Sequence, residues 1–191
     1  MDETDADTLC TGVITIASDR GLEEDAAGET VTDLLEADGH EVAVREHVNS
    51  DHDTVQSIVS RLLDRDDVDI VITAGATGVE PGDITIEAVE PLLKKELAAF
   101  SELVTVLGYE RVGTAVVGAR TLAGVADGTP VFCLPGHVDA VQLALEEIVL
   151  AEASTLVERA GYEAADADEE SSDADEEPTD ANGAEPADGG A

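Results

Sequence analysis

Apolar residues along this chain follow two alternating patterns: short continuous runs, and longer segments with helical spacing. The apolar, β-branched runs predict buried strands over residues 11–17, 69–73 and 131–134, and a looser alternation predicts a strand nearer the sheet edge over 42–48. Helical spacing predicts helices over 28–37 and 55–63, one starting at Thr85 and a final one from Val138 to about Arg159. The small apolar residues at 114–125 leave strand and helix both open.

This alternation of strands with helices predicts an α/β fold with a mostly parallel sheet. Ligands of such sheets bind at the carboxyl ends of the strands, so the loops that follow the predicted strands are the candidate sites. Asp53 has the residue type and the place of an N-cap for the helix over 55–63.

Charge changes the picture, because 45 acidic residues face only 9 basic ones and give a net charge of −36 over 191 residues. Such a chain repels nucleic acid and anionic lipid, and its 2% of aromatic residues leaves few platforms for base stacking. The acids divide the chain into an acidic N-terminal extension (1–9), a domain (10–162) and an acidic tail (163–191) that we expect to be disordered. We therefore expect a protein that binds neither nucleic acid nor membrane.

The acidic excess persists inside the domain, where residues 10–162 carry 29 acidic and nine basic side chains. Self-repulsion of this size is screened at molar salt, which favours a halophilic cytoplasm over the alternative of an ordinary acidic protein with a disordered tail. Cys10 and Cys133 lack the spacing of a metal or disulfide motif and are expected to pack as small core residues. The histidines His40, His47 and His52 are expected at the surface.

The loop after the strand at 69–73 contains Gly75, Ala76, Thr77 and Gly78, and Asp83 follows near the next helix. Glycines let backbone N–H groups approach an anion, and a nearby carboxylate can hold Mg²⁺ against a phosphate. The pattern therefore predicts a phosphate site with Mg²⁺. A tight turn followed by an N-cap Asp is the alternative.

Two other loops lie in equivalent places. Pro135, Gly136 and His137 follow the strand at 131–134 and open a helix, which is a second candidate anion site or a plain strand–helix turn. Asp51 follows the edge strand, and if Asp53 caps the helix, Asp51 is free to pair with Asp83 around a metal.

Seven motifs occur in one order between residues 10 and 160: Ser18-Asp19-Arg20; Ala27-Gly28; Gly75-Ala76-Thr77-Gly78 with Asp83-Ile84-Thr85 and Glu87-Ala88; Phe100-Ser101-Glu102; Gly113-Thr114; Arg120-Thr121-Leu122-Ala123-Gly124; and Leu134-Pro135-Gly136 with Ala140-Val141. In this order and spacing they resemble the MogA/MoaB family of molybdopterin adenylyltransferases of molybdenum-cofactor biosynthesis. The resemblance implies a three-layer α/β/α fold and a homotrimer or hexamer. It also implies Mg²⁺-dependent transfer of AMP from ATP to molybdopterin, with a molybdenum-insertion protein as the next partner.

The resemblance also assigns roles to residues. Asp83 and Asp51 would be the catalytic and Mg²⁺-handling carboxylates, although Ser50 aligns with the second position as well as Asp51 does. The residues implied in binding the substrates are Ser18, Asp19, Arg20, Gly28, Gly75, Ala76, Thr77, Gly78, Arg120, Pro135, Gly136 and His137. For Arg120 a structural salt bridge is the alternative, and Phe100 is expected in the core or a subunit interface.

The sequence departs from the family pattern at five places, where Ala76 replaces Gly, Gly82 replaces Arg, Val104-Thr105 replaces Phe-Arg, Ala119 replaces Ser and His137-Val138 replaces Ser-Pro. Two positive charges and two hydroxyl donors are thus absent. A non-catalytic homologue that binds molybdopterin or a nucleotide is therefore an alternative, and an acidic scaffold whose tail recruits a partner is another.

Overall fold

The computed structural model describes residues 8–18 and 24–172. The predicted site residues Asp19 and Arg20 lie outside the described residues, as do residues 1–7 and 173–191.

A six-stranded sheet forms the centre of the described part of the chain, with the strand order β2-β1-β3-β6-β5-β4. Its strands are β1 (Cys10–Ile16), β2 (Glu41–Val48), β3 (Ile70–Ala74), β4 (Lys95–Glu96), β5 (Leu122–Ala126) and β6 (Thr129–Leu134). The pairs β1–β2, β1–β3 and β3–β6 are parallel, whereas β5 is antiparallel to both β6 and β4. The sheet is thus mostly parallel, as predicted, and β2 is an edge strand, as predicted.

Helices cover both faces of the sheet. They are α1 (Ala26–Ala37), α2 (His52–Leu63), α3 (Thr85–Val89), α4 (Ala98–Val112), α5 (Val138–Ala144) and α6 (Leu150–Ser172), with 3₁₀ turns at Glu90–Leu92 and Gly113–Gly118 and a π-helical segment at Leu145–Val149. Alternate strand residues enter opposite cores: Val13 belongs to the core that includes residues of α1, α4, α5 and α6, and its neighbour Ile14 belongs to the core that includes residues of α2 and α3. Two apolar cores on one sheet make the three-layer α/β/α fold that the family resemblance implies.

The undecided stretch at 114–125 contains both kinds of structure, since a 3₁₀ turn ends at Gly118 and β5 begins at Leu122. The pattern also gave no prediction for α4, whose apolar residues occupy two faces. Phe100 and Val104 lie in the core, where the Phe100 ring meets that of Phe132 edge-on at 5.2 Å between centroids. This confirms that Phe100 is a core residue.

The final helix runs further than the predicted end near Arg159. After the π-helical segment it continues as α6 to Ser172, ten residues into the tail that was expected to be disordered. The expectation rested on burial, but alanine and glutamate are strong helix formers and can extend a helix that is already nucleated. The division of domain from tail at residue 163 stays a prediction.

Two smaller expectations are wrong. The N-cap of α2 is Asp51, whose side chain accepts a hydrogen bond from the Thr54 N–H, and not Asp53. His40 is buried rather than at the surface, and its Nδ1 accepts a hydrogen bond from the backbone N–H of Leu9, just before β1.

The two cysteines are free. Cys133 is fully buried, as expected, and burial raises the pKa of its thiol to about 12, whereas Cys10 is only partly buried. Among the described helices, none has the length and apolar character needed to cross a membrane.

Candidate functional site

The two glycine loops predicted as anion sites lie side by side at the carboxyl edge of the sheet. Because β3 and β6 are parallel neighbours, Ala74 and Leu134 are paired, and the Gly75 N–H donates to the Leu134 carbonyl at 3.0 Å. A Cβ placed on Gly136 would lie 3.0 Å from the Gly75 Cα. The structure thus brings together the loops that the sequence separates by about 60 residues.

Gly75 also lies against the end of β1. Its φ is +106°, and a Cβ there would come under 3.0 Å from the Ile16 carbonyl oxygen. Glycine is required by this conformation and this close approach. Three strand ends therefore converge at one position.

Ala76, the next residue, has a φ of +50°. An L-residue in the left-handed region costs about 1–2 kcal/mol relative to its relaxed conformation. The alanine that departs from the family's glycine is therefore held in a strained conformation inside the candidate loop.

The Asp83 carboxylate turns inward and closes the loop ahead of α3. Its Oδ2 accepts from the Glu80 N–H at 2.8 Å, and the Asp83 N–H donates to the Glu80 carbonyl at 2.9 Å. The N-cap position of α3 is Ile84, with no side-chain cap, so the alternative of Asp83 as an N-cap is wrong. Gly78 lies directly beside the carboxylate, since a Cβ on it would be 2.7 Å from the same Oδ2.

Thr85 fastens the far end of the loop. Its N–H donates to the Ala76 carbonyl at 3.0 Å, and its buried hydroxyl donates to the Gly75 carbonyl at 2.8 Å. Thr77 is buried as well. Hydrogen bonds among its own residues therefore hold the loop that carries Asp83 in one conformation.

Arg120, which precedes β5, reaches this loop from the other side. Its Nε donates to the carbonyls of Thr77 and Gly78 at 3.0 and 2.8 Å, and its terminal nitrogens pair with both oxygens of Glu87 at 2.6 and 3.3 Å. Hydrogen bonding to Arg120 lowers the pKa of the Glu87 carboxyl, and the same bond raises the pKa of Arg120. The structural salt bridge left open by the sequence is present.

Ser50, rather than Asp51, connects the edge strand to the candidate site. The Ser50 N–H donates to the Ser18 hydroxyl at 3.1 Å, and the Ser50 hydroxyl donates to the carbonyl of Gly82, next to Asp83. Asp51 is not a free carboxylate, because its Oδ1 accepts from the Thr54 N–H at 2.9 Å. Hydrogen bonding to Thr54, first to its side chain and then to its backbone, lowers the pKa of Asp51. The pairing of Asp51 with Asp83 around a metal stays a prediction. One of the two carboxylate oxygens of Asp51 is already engaged in the helix cap.

Gly28 is buried beside the carboxylate of Asp25, a residue that the motifs did not single out. Asp25 is 1% exposed and accepts from the Gly28 N–H at 2.9 Å, the Thr15 hydroxyl at 2.8 Å and Arg45 at 3.1 Å. A Cβ on Gly28 would clash with both Asp25 and Thr15, so the glycine makes room for this cluster. An Asp three residues before a helical glycine is an N-cap signal that could have identified Asp25.

Pro135, Gly136 and His137 lead directly into α5. His137 occupies the N-cap position without a side-chain cap bond, and its carbonyl accepts from the N–H groups of Ala140 and Val141. The first N–H groups of a helix lack intrahelical partners and favour an anion. The start of α5 is therefore a suitable neighbour for the Gly75–Gly78 loop.

Within the described residues, no group of three or more His, Cys, Asp or Glu side chains is arranged to hold a metal ion. Mg²⁺ usually takes only one or two carboxylates from the protein, with water and phosphate oxygens as its other ligands. The donor set here, with Asp83 at the closed loop, fits that mode of binding and not an all-protein cage.

A family model described as "Probable molybdopterin binding domain" matches residues 7–155. The chain is 37% identical over 153 residues to Molybdenum cofactor biosynthesis protein B of Staphylococcus aureus (strain COL). The matched residues make up 78% of this chain and 90% of that protein.

Solved structures agree in fold. A crystal structure of Molybdenum cofactor biosynthesis protein B has a TM-score of 0.78 and 33% identity, over 80% of this chain and 96% of that one. The tungsten cofactor synthesizing protein MoaB from Pyrococcus furiosus has a TM-score of 0.74 and 34% identity, over 81% and 98%. By its sequence, its fold and the order of its motifs, this chain belongs to the molybdopterin-binding-domain family of the MoaB and MogA type.

Proposed function

We propose that this protein acts in molybdenum-cofactor biosynthesis and catalyses the Mg²⁺-dependent adenylylation of molybdopterin by ATP. In this reaction an oxygen of the terminal phosphate of molybdopterin attacks the α-phosphorus of ATP. The new oxygen–phosphorus bond forms as the bond from the α-phosphorus to the oxygen bridging to the β-phosphorus breaks, and pyrophosphate leaves. The observation that carries the proposal is the convergence of the Gly75–Gly78 loop, the Pro135–His137 loop and Asp83 at one sheet edge in a member of this family.

Backbone groups, rather than basic side chains, would bind the phosphates. The chain has only nine Lys and Arg residues, and Gly82 and Thr105 stand where the family pattern has arginines. The Thr105 hydroxyl donates to the Ser101 carbonyl within its own helix. Glycine-loop amides and the start of α5 supply donors that keep their partial charge at any pH and need no net positive surface.

Asp83 would hold Mg²⁺ against the phosphates and is the proposed catalytic carboxylate. The ion would neutralise charge that develops on the transferring and leaving phosphate groups. The protein's own contribution is to fix the carboxylate, which the Glu80 N–H and the packing of Gly78 already orient. Such preorganisation lowers the barrier without a covalent nucleophile.

We further propose that the protein assembles as a homotrimer or hexamer through an apolar surface on α4 and the turn that follows it. Five large apolar side chains there are 49–83% exposed: Leu103, Val106, Tyr109, Val112 and Val117. An exposed apolar patch marks an interface more often than a free surface. Val106→Glu is expected to lower the sedimentation mass at molar KCl, whereas Ala151→Glu on exposed α6 surface is expected to leave it unchanged.

The test of the activity is pyrophosphate release from ATP, Mg²⁺ and molybdopterin at molar KCl, with Asp83→Asn as the variant. Asp53→Asn is the matched control, because the Asp53 side chain is 97% exposed and does not cap α2. Turnover that needs both substrates, is lost in Asp83→Asn and is kept in Asp53→Asn supports the proposal. Normal turnover by Asp83→Asn contradicts the role of that carboxylate.

A second candidate function is binding of molybdopterin or a nucleotide without turnover. It is favoured by the observation that a hydroxyl, Ser50, reaches the loop beside Asp83 while the neighbouring carboxylate of Asp51 caps a helix. Tight binding of either ligand with no pyrophosphate release would select this function. In both cases the expected partner downstream is a molybdenum-insertion protein.

A further inference from the structure

The Arg120 guanidinium packs against the candidate phosphate loop and bonds to it through two of its three nitrogens, Nε and Nη2. Besides the Nε bonds to the Thr77 and Gly78 carbonyls, one terminal nitrogen approaches the Asp83 carbonyl at 3.4 Å, and both terminal nitrogens contact Glu87. One side chain thus joins the glycine turn, the residue proposed as catalytic and the helix that follows it.

Both sides of this arrangement are anchored. Glu87 belongs to α3, so the bidentate pair ties the guanidinium to that helix. The residue after Arg120 is tied to α4, because the Ser101 hydroxyl donates to the Thr121 carbonyl at 2.9 Å and lies 3.1 Å from the Thr121 hydroxyl. Arg120 therefore acts between two fixed helices.

Peptide geometry determines what the bonds to the two carbonyls do. In a trans peptide unit the carbonyl and the next N–H point in opposite directions, and the described chain contains no cis peptide. Because the Thr77 and Gly78 carbonyls are directed at Arg120, the N–H groups of Gly78 and Val79 are directed away from it. Gly78 is the last residue of the loop proposed to bind phosphate, and Val79 follows it directly.

We propose that Arg120, held by Glu87, is a positioning residue that turns the amides of Gly78 and Val79 toward the phosphate and does not itself contact the ligand. This rests on the proposed function only for the identity of the ligand. It replaces the direct contact that the family resemblance implies for Arg120 with an indirect one.

The two roles predict opposite effects of Glu87→Gln. If Arg120 contacts phosphate, removing the carboxylate that competes for it leaves Mg·ATP affinity unchanged or raises it. If Arg120 positions the loop, Glu87→Gln and Arg120→Gln both weaken Mg·ATP binding, by about tenfold, the lower end of losses for outer-shell partners. The double variant is then expected to bind Mg·ATP as tightly as the single variant with the lower affinity, because the two residues act as a unit.

Calorimetric titration of the full chain with Mg·ATP at molar KCl measures these affinities. Arg65→Gln is the matched control, since Arg65 forms a similar bidentate pair with Asp67 but lies before β3, at the opposite end of the sheet. Unchanged or tighter binding by Glu87→Gln, or additive losses in the double variant, overturns the proposal.

Amide hydrogen exchange without any ligand separates this inference from the proposed function. The Glu80, Asp83 and Thr85 N–H groups are bonded inside the loop and are expected to exchange about tenfold faster in Arg120→Gln and Glu87→Gln than in Arg65→Gln. If the wild-type protein binds neither ATP nor molybdopterin, the proposed function fails, and exchange still decides the role of Arg120. Equal exchange in all three variants overturns that role.

Discussion

Replacing Gly75 by alanine should destabilise the protein strongly. The residue has a φ of +106°, which costs an L-residue about 1–2 kcal/mol. The new Cβ would lie under 3.0 Å from the Ile16 carbonyl oxygen and 3.3 Å from its carbon, which are backbone atoms of a buried strand and cannot rotate away. Overpacking of this kind costs a further 1–3 kcal/mol or so. We therefore expect a loss of about 2–5 kcal/mol in the free energy of unfolding.

Gly82→Ala is the control, because it lies in the same loop with no heavy atom within 4 Å of its Cβ position and no left-handed φ. Its effect should stay within about 0.5 kcal/mol. Urea unfolding at molar KCl, followed by circular dichroism and extrapolated linearly, gives both values. A Gly75→Ala protein as stable as Gly82→Ala would refute the close approach of β1, β3 and β6 on which the site depends.

Four further predictions concern the loop, the cap, pH and salt. Ala76→Gly should stabilise the protein against urea by up to about 1 kcal/mol, because relief of its left-handed φ exceeds the added entropy of glycine; a destabilised variant would contradict the strain. Asp51→Ala should cost about 1 kcal/mol and Asp51→Asn far less, since asparagine also caps; a loss of turnover in a stable Asp51→Asn protein would instead give Asp51 the catalytic role. The pKa of Glu87 is lowered in the folded protein, so the Glu87–Arg120 pair stabilises the fold above the ordinary pKa of 4.5, and this stabilisation is lost as the pH falls through the lowered pKa. The urea midpoint should therefore fall less steeply with decreasing pH in Glu87→Gln than in the wild-type protein. Equal slopes in the two proteins at acid pH would contradict a contribution of this pair. Because of the charge of −36, the fold should be lost in dilute salt and kept at molar KCl, whereas equal thermal midpoints in both would contradict the halophilic expectation.

The sequence predicts the layers and the place of the site because both depend on short-range patterns. Residues 70–72 and 131–134 are apolar at every position, which a strand with one exposed face does not allow, so both strands are expected in the centre of the sheet. Parallel strands place their carboxyl ends at one edge, and this rule predicts that Gly75 and Gly136 lie at the same edge. Their contact depends in addition on β3 and β6 being neighbours in the sheet.

Local patterns do not predict the α2 cap, helix α4 or the contacts of Arg120, because these depend on residues elsewhere in the chain. Asp51 and Asp53 are equally good caps by type, and only the start of the helix at His52 selects Asp51. Helix α4 has apolar residues on both its buried and its exposed face, so it shows no periodicity. Arg120 contacts a loop some 40 residues earlier in the chain, and no local pattern reports that contact.

The central claim is that the converging glycine loops and Asp83 support adenylyl transfer. The most direct measurement is the release of pyrophosphate by the full chain from ATP and molybdopterin with Mg²⁺ at molar KCl, alongside the formation of adenylylated molybdopterin. We predict equal amounts of the two products, and a rate about 10²–10³ lower in Asp83→Asn, the loss typical for one charge-stabilising group. No pyrophosphate from wild-type protein that binds both substrates, or an undiminished rate in Asp83→Asn, would contradict the claim.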